Sequence, residues 1–168
     1  MRNEIKLPRA IESDERYEEI KKILDSSLKK VNKNSHLKAV FLNGTPRFIN
    51  ALQLEQKRGR IIRGLENIQR NLDIQANGIA LADEKAGTVR SARVSRLIII
   101  SNDGSDRFLR KLENLLEEHD DRVLPIILNS DSEELCAMFF GADKTAKVIM
   151  LAHKESVCNA LLALLPKA

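Results

Sequence analysis

The densest run of side chains able to do chemistry is Lys57-Arg58-Gly59-Arg60-Ile61-Ile62-Arg63-Gly64-Leu65-Glu66-Asn67-Ile68-Gln69-Arg70. Ile61-Ile62 fits a short strand, Gly64 lets the backbone turn without a Cβ, and a helix starts near Leu65 with Ile68 and Leu72 facing inward. That spacing leaves Glu66, Asn67 and Arg70 near one exposed helix N-terminus. Backbone N–H groups there attract phosphate, an asparagine amide both donates to and accepts from a base edge, and an arginine reaches phosphate or guanine. Lys57, Arg58, Arg60 and Arg63 stand ready to neutralise phosphates. A capped surface helix with ordinary polar residues fits the same run equally well.

Other chemistries find little support. His36, His119 and His153 are scattered and form no nucleophile–base–acid set. Asn43-Gly44-Thr45 and Gly141-Ala142-Asp143-Lys144-Thr145 are glycine-containing loops without a GxxxxGK[ST] or GxGxxG pattern, which argues against nucleotide hydrolysis and dinucleotide binding. Cys136 and Cys158 lack CxxC spacing and read as reduced, buried, small hydrophobes, so no metal or cofactor is called for. Asp120-Asp121 and Glu133-Glu134 read as solvated helix ends. With five Phe, one Tyr and no Trp, a stacking platform for single-stranded RNA is not expected.

The formal net charge is +4, distributed unevenly. Residues 1–56 carry +3, residues 57–96 carry +5 and residues 97–168 carry −4. A basic middle beside an acidic C-terminal part suggests an oriented face for a polyanion. The 168 residues are enough for one sizeable core, and no apolar run approaches the ~20 residues of a membrane helix. The charged start, Met1 to Lys6, does not look like a secretory signal, so a soluble intracellular protein is expected.

The elements that must position the basic run follow from periodicity. Ser13 to Val31 places Tyr17, Ile20, Ile23, Leu24, Leu28 and Val31 at helical spacing, with Ser13 as the capping candidate. Leu37 to Leu42 fits either a strand or a core-facing loop. Leu97 to Ile100, Val123 to Leu128 and Lys147 to Ala152 read as buried strands. The helices between and after them carry Leu112 and Leu115, then Ser132 to Phe140, then Glu155 to Leu165. Strands alternating with helices imply βαβ crossovers and a sheet covered on both faces. The segment 76–96 lacks sustained periodicity and reads as an exposed, basic, largely irregular insertion, with Ile79 to Leu81 anchored locally.

The stretch Gly64-Leu65-Glu66-Asn67-Ile68-Gln69-Arg70 resembles the motif that opens the RNA-contacting helix in the kink-turn-binding ribosomal-protein family, the L-seven-A-e group. A second register, with Asp83-Glu84 at the motif position and Val89-Arg90-Ser91 following, lacks the preceding glycine and apolar strand. The order of elements after the motif, and Glu133-Glu134-Leu135 through Gly141, are similar to that family too. Pro8 to Ser13 ahead of an amphipathic helix, with an insertion after the motif helix, resembles one branch, the small RNA-binding subunits of eukaryotic ribonuclease P and RNase MRP.

The resemblance implies a three-layer α/β/α sandwich with a mixed four-stranded sheet, preceded by an extra N-terminal helix. Residues 1–56 would form a helical extension packed on an RNA-binding domain at 57–168. It further implies a non-catalytic subunit that stabilises folded RNA for precursor tRNA and ribosomal RNA processing. The RNA would be that of ribonuclease P or RNase MRP, bound at a kink-turn-like element. Other protein subunits of the particle would be neighbours, no membrane would be involved, and the location would be nucleus and nucleolus, or else cytoplasm. Lys144 and Thr145 would border the RNA site together with Gly64, Leu65, Glu66, Asn67 and Arg70. The family's asparagine-glutamate order stands here as Glu66-Asn67, which places a carboxylate where an amide reads a sheared G·A pair. Phosphate repels that charge, so affinity for a standard kink-turn should be weakened. Two other readings are a protein-interaction module on the same fold, as in translation termination factors, and another ribosomal or small nucleolar ribonucleoprotein subunit.

Overall fold

The apolar run beginning at Leu97 lies in the middle of the sheet. In the computed structural model, which describes residues 5–87, 93–141 and 146–166, it forms β4 (Arg96–Ile100). On one side β4 pairs in parallel with β5 (Val123–Leu128), and on the other antiparallel with β6 (Val148–Leu151). The three strands read from Leu97, Val123 and Lys147 are therefore neighbours, as their unalternated β-branched character requires. β6 pairs in turn with β3 (Ile61–Arg63), also antiparallel.

The sheet has six strands among the described residues, where four are expected. Both extra strands come from the first 56 residues. β2 (Lys38–Leu42) adds in parallel to β5, and β1 (Leu28–Lys30) adds antiparallel to β2, giving the order β1-β2-β5-β4-β6-β3. The open reading of Leu37 to Leu42 resolves to a strand, with Ala39 and Val40 fully buried. The N-terminal part is thus helix and sheet, not a purely helical extension.

Helices cover both faces. Residues 97 and 99 point to one side, against α1 (Arg9–Glu12), α2 (Tyr17–Ser27), α3 (Pro46–Lys57), α6 (Ser132–Phe139) and α7 (Lys154–Leu162). Residues 98 and 100 point to the other, against α4 (Leu65–Ala86) and α5 (Asp106–His119). Each face has its own buried cluster because successive side chains on a strand alternate. Leu112 and Leu115 lie in the second cluster, Leu135 and Leu161 in the first.

Two local expectations are corrected. The N-terminal helix does not run from Ser13 to Val31. Ser13 closes the four-residue α1, and α2 starts after Arg16, whose backbone and guanidinium both bond Asp14. At its other end α2 stops at Ser27, and Leu28 enters a strand instead. Sheet pairing with β2 outweighs the helical spacing of Leu28 and Val31.

Of the segment 76–96, residues 76–86 are helical, not irregular, and residues 88–92 lie outside the described residues. α4 continues through Ala86, so Ile79 to Leu81 are helical, and Gly87 ends the helix in the left-handed conformation (φ 66°). The alanine-rich stretch after Ile74 has good helix formers, and Gly78 adds only about 1 kcal/mol of cost relative to alanine. Its exposed length is helical without burying much, which is why apolar periodicity fades there. Val94 and Ser95 are buried ahead of β4, and Val94 N–H donates to the Lys6 carbonyl.

Candidate functional site

β2, β3, β4 and β5 run in the same direction, so their C-terminal ends share one edge of the sheet. The N-termini of α3, α4, α5 and α6 follow directly at that edge. The candidate turn lies there. Gly64 has φ 89° and ψ 145°, a region open essentially to glycine alone, and its N–H donates to the Val148 carbonyl at 3.1 Å. The chain therefore leaves β3 still paired to β6 and enters α4 one residue later.

Leu65 packs against the cluster under α4, and Ile68 and Leu72 are buried there, as their spacing requires. Glu66, Asn67 and Arg70 are exposed on the first turns of α4, and no side chain caps that helix. The Asn67 amide donates to the Arg63 carbonyl at 3.0 Å, which holds the side chain over the turn. Arg63 itself lies over the Phe140 ring, 5.2 Å from its centroid, on the opposite face of the sheet from α4. Gly141, next to Phe140, takes φ 84°. Lys144 and Thr145 lie outside the described residues.

The basic run is split. Lys57, Arg58 and Arg60 lie at the far end of β3, about 10 Å from Gly64 for three strand residues. Lys57 is exposed at the end of α3, whereas the two arginines turn to a buried carboxylate. Glu55, only 1% exposed, accepts from Arg58 Nη1 at 2.9 Å, Ser156 Oγ at 2.6 Å and Asn159 Nδ2 at 3.3 Å. Arg60 Nη1 stands 3.8 Å from Glu55 and 3.4 Å from Glu155. Burial pushes the Glu55 carboxyl up, but the Ser156 and Asn159 bonds and the Arg58 and Arg60 charges outweigh it, so its pKa lies below the usual range. Arg58 and Arg60 are thus engaged with this buried carboxylate, away from the Gly64 turn.

A row of amides occupies the same edge as Gly64 and was not singled out from the sequence. Asn102 Nδ2 donates to Asn129 Oδ1 at 3.1 Å, and Asn129 Nδ2 to Asn43 Oδ1 at 3.2 Å. All three are exposed, and each closely follows the last residue of a strand, at Leu42, Ile100 and Leu128. That recurrence was the available signal. Ser101 N–H donates to the Lys147 carbonyl, which joins this row to β6 and so to the Gly64 turn.

Beside the row, Asp103 accepts from Ser132 N and Oγ at 3.1 and 2.8 Å. Burial raises the Asp103 carboxyl, and hydrogen bonds from Ser101, Ser132 and its own backbone overcome that and lower it. On the outer side of α4 and α5, Asp73, Glu118 and His119 bring one ligand atom each within 4.8 Å of one another. The His119–Asp73 pair at 3.1 Å ties the two helices together. The cysteines are free, Cys136 buried and Cys158 half-buried.

No family model matches this chain, and no curated protein does. Among solved structures it is similar to a protein of unknown function from Bacillus halodurans, with a TM-score of 0.50 and 14% identity, covering 71% of this chain and 98% of that one. That likeness bears on the fold alone. The class defined by the fold is thus a mixed α/β protein, with a mixed sheet of six strands among the described residues.

Proposed function

We propose that this chain is a non-catalytic RNA-binding subunit of a ribonucleoprotein of the ribonuclease P or RNase MRP kind, acting in the nucleus and nucleolus beside other protein subunits. The observation that carries this reading is the turn at Gly64, which delivers Glu66, Asn67 and Arg70 to solvent on the uncapped first turns of α4. The strand–helix order from β4 to α7 follows the motif as the resemblance implies. On this reading Arg70 and Arg63 meet phosphates, Asn67 meets a base edge through its free carbonyl oxygen, and the Asn43–Asn129–Asn102 row extends the polar contact along the same edge.

The test is fluorescence anisotropy with ribonuclease P RNA, RNase MRP RNA, a standard kink-turn and an unrelated hairpin. Asn67→Ala should lose on the order of 1–3 kcal/mol against the preferred RNA and little against unrelated duplexes. Arg70→Ala should weaken all structured RNAs and flatten the salt dependence by about one counterion. Equal, weak binding of all four RNAs at physiological salt, with co-purifying proteins present, would sink the reading in favour of a protein-interaction module.

A further inference from the structure

The opposite edge of the sheet carries a pocket of 570 Å³ between the N-terminal segment, α4, the approach to β4 and the start of α7. Among the described residues its charged lining is basic: Arg9, Arg93, Arg122 and Lys154, with Gln75 and Cys158 beside them. Among the described residues, Arg9, Arg122 and Lys154 have no ion-pair partner. Arg93 does have one, Glu12 at 2.6 Å, and its Nη1 also donates to the Leu7 carbonyl. The Nε atoms of Arg93 and neighbouring Arg96 are nevertheless buried without a hydrogen-bond partner. Burial and then the charge of Arg122 both push the Arg96 guanidinium down, and among the described residues Glu12, on Arg93, is the one acid paired with the four lining cations.

A folded chain gains nothing from crowding cations around a concavity unless an anion joins them. Lys154 sharpens the point, because it stands at the first position of α7, where the helix dipole disfavours a cation, and no side chain caps that end. We propose that this pocket is an anion site for a phosphate-bearing ligand, a phosphomonoester or diphosphate held by Arg93, Arg122 and Lys154. A lone carboxylate would leave most of the positive charge unmet, whereas a phosphate carries about −1.5 to −2 at neutral pH and matches the guanidinium fork. The volume falls in the range of small-molecule sites, roughly 300–1,000 Å³. The group comes either from a free nucleotide or from an RNA end, and the site is independent of the Gly64 turn.

The experiment is isothermal titration of the full chain with inorganic pyrophosphate, adenosine diphosphate, and a short RNA bearing either a 5′-phosphate or a 5′-hydroxyl. Pyrophosphate should bind saturably, and Arg122→Gln and Lys154→Gln should each weaken it by about tenfold or more. Lys154 is exposed, so its variant keeps the fold even if Arg122→Gln does not. Bound pyrophosphate should also slow maleimide labelling of Cys158, the more accessible of the two thiols. Binding of the diphosphate with no preference between the two RNAs points to a free nucleotide, and preference for the 5′-phosphate points to an RNA end. Pyrophosphate that binds no better than sulfate, or binding that both variants leave unchanged, overturns the proposal. Asn67→Ala should leave pyrophosphate binding intact, so failure of the RNA reading and failure of this one are distinguishable.

Discussion

Two carboxylates eleven residues apart in the sequence, Glu55 and Glu66, do opposite things. Glu66 is exposed at a helix N-terminus, where a negative charge is favoured whether or not RNA is near. Glu66→Asn is expected to tighten binding to a standard kink-turn, because it removes a charge that phosphate repels, and to gain less or lose on the natural RNA; the anisotropy assay compares the two. Glu55 is buried at the junction of α3, β3 and α7, and its partners lose their acceptor if it is removed. Glu55→Ala should therefore destabilise by roughly 3–5 kcal/mol in urea unfolding, as a buried charge network broken from one side does. Its lowered pKa sets a sign. The unfolded chain binds the proton first as pH falls, so this stabilisation is complete above the ordinary glutamate value of ~4.3 and is lost as pH drops toward the folded value. The variant should show a correspondingly flatter loss of stability below that pH.

At the scale of elements, α4 and the turn before it are the parts on which the site depends. Gly64→Ala forces a side chain into a backbone region that excludes it and should cost about 1–3 kcal/mol, with RNA binding falling alongside. Gly78 is the contrasting case. It is exposed in the helix interior with nothing within 4 Å of where a Cβ would sit, so Gly78→Ala should stabilise by roughly 0.5–1 kcal/mol in thermal or urea unfolding. An irregular insertion at this position would show no such gain, so the measurement also checks that the chain is helical at Gly78. In the sheet, Ile99 is fully buried in β4 between the two flanking strands, and Ile99→Ala should cost roughly 2–5 kcal/mol.

At the scale of the whole molecule, residues 5–45 are part of the sheet and of its core, with Ala39 in the cluster under α4 and α5. Ile5, Leu7, Ile11, Ile20, Leu24 and Val40 all join the cluster on the α7 side. Removing residues 1–45 would strip the parallel partner from β5 and uncover that cluster, leaving a long apolar edge open to pairing with other chains. Such a truncation is expected to aggregate or lose cooperative unfolding, and circular dichroism with size-exclusion chromatography checks this. The two ends of the sheet also divide the chemistry: amides and the Gly64 turn at one edge, the arginine-lined pocket at the other.

From the sequence by itself came the features that depend on local rules. The strands at Leu97, Val123 and Lys147 were legible because a strand buried on both faces must be continuously apolar, and the turn at Gly64 because a glycine between an apolar pair and a helical pattern has few other uses. What only the tertiary structure decided were long-range pairings and the direction of long side chains. β1 and β2 become strands through partners close by and 86 residues away, which no local period encodes. Arg58 and Arg60 sit in the same basic run as Arg63, yet a buried Glu55 draws them to the other end of a three-residue strand. Charge in sequence adds up along the chain, whereas charge in a fold is divided by which carboxylate each guanidinium can reach, and by the desolvation that makes that carboxylate demand it.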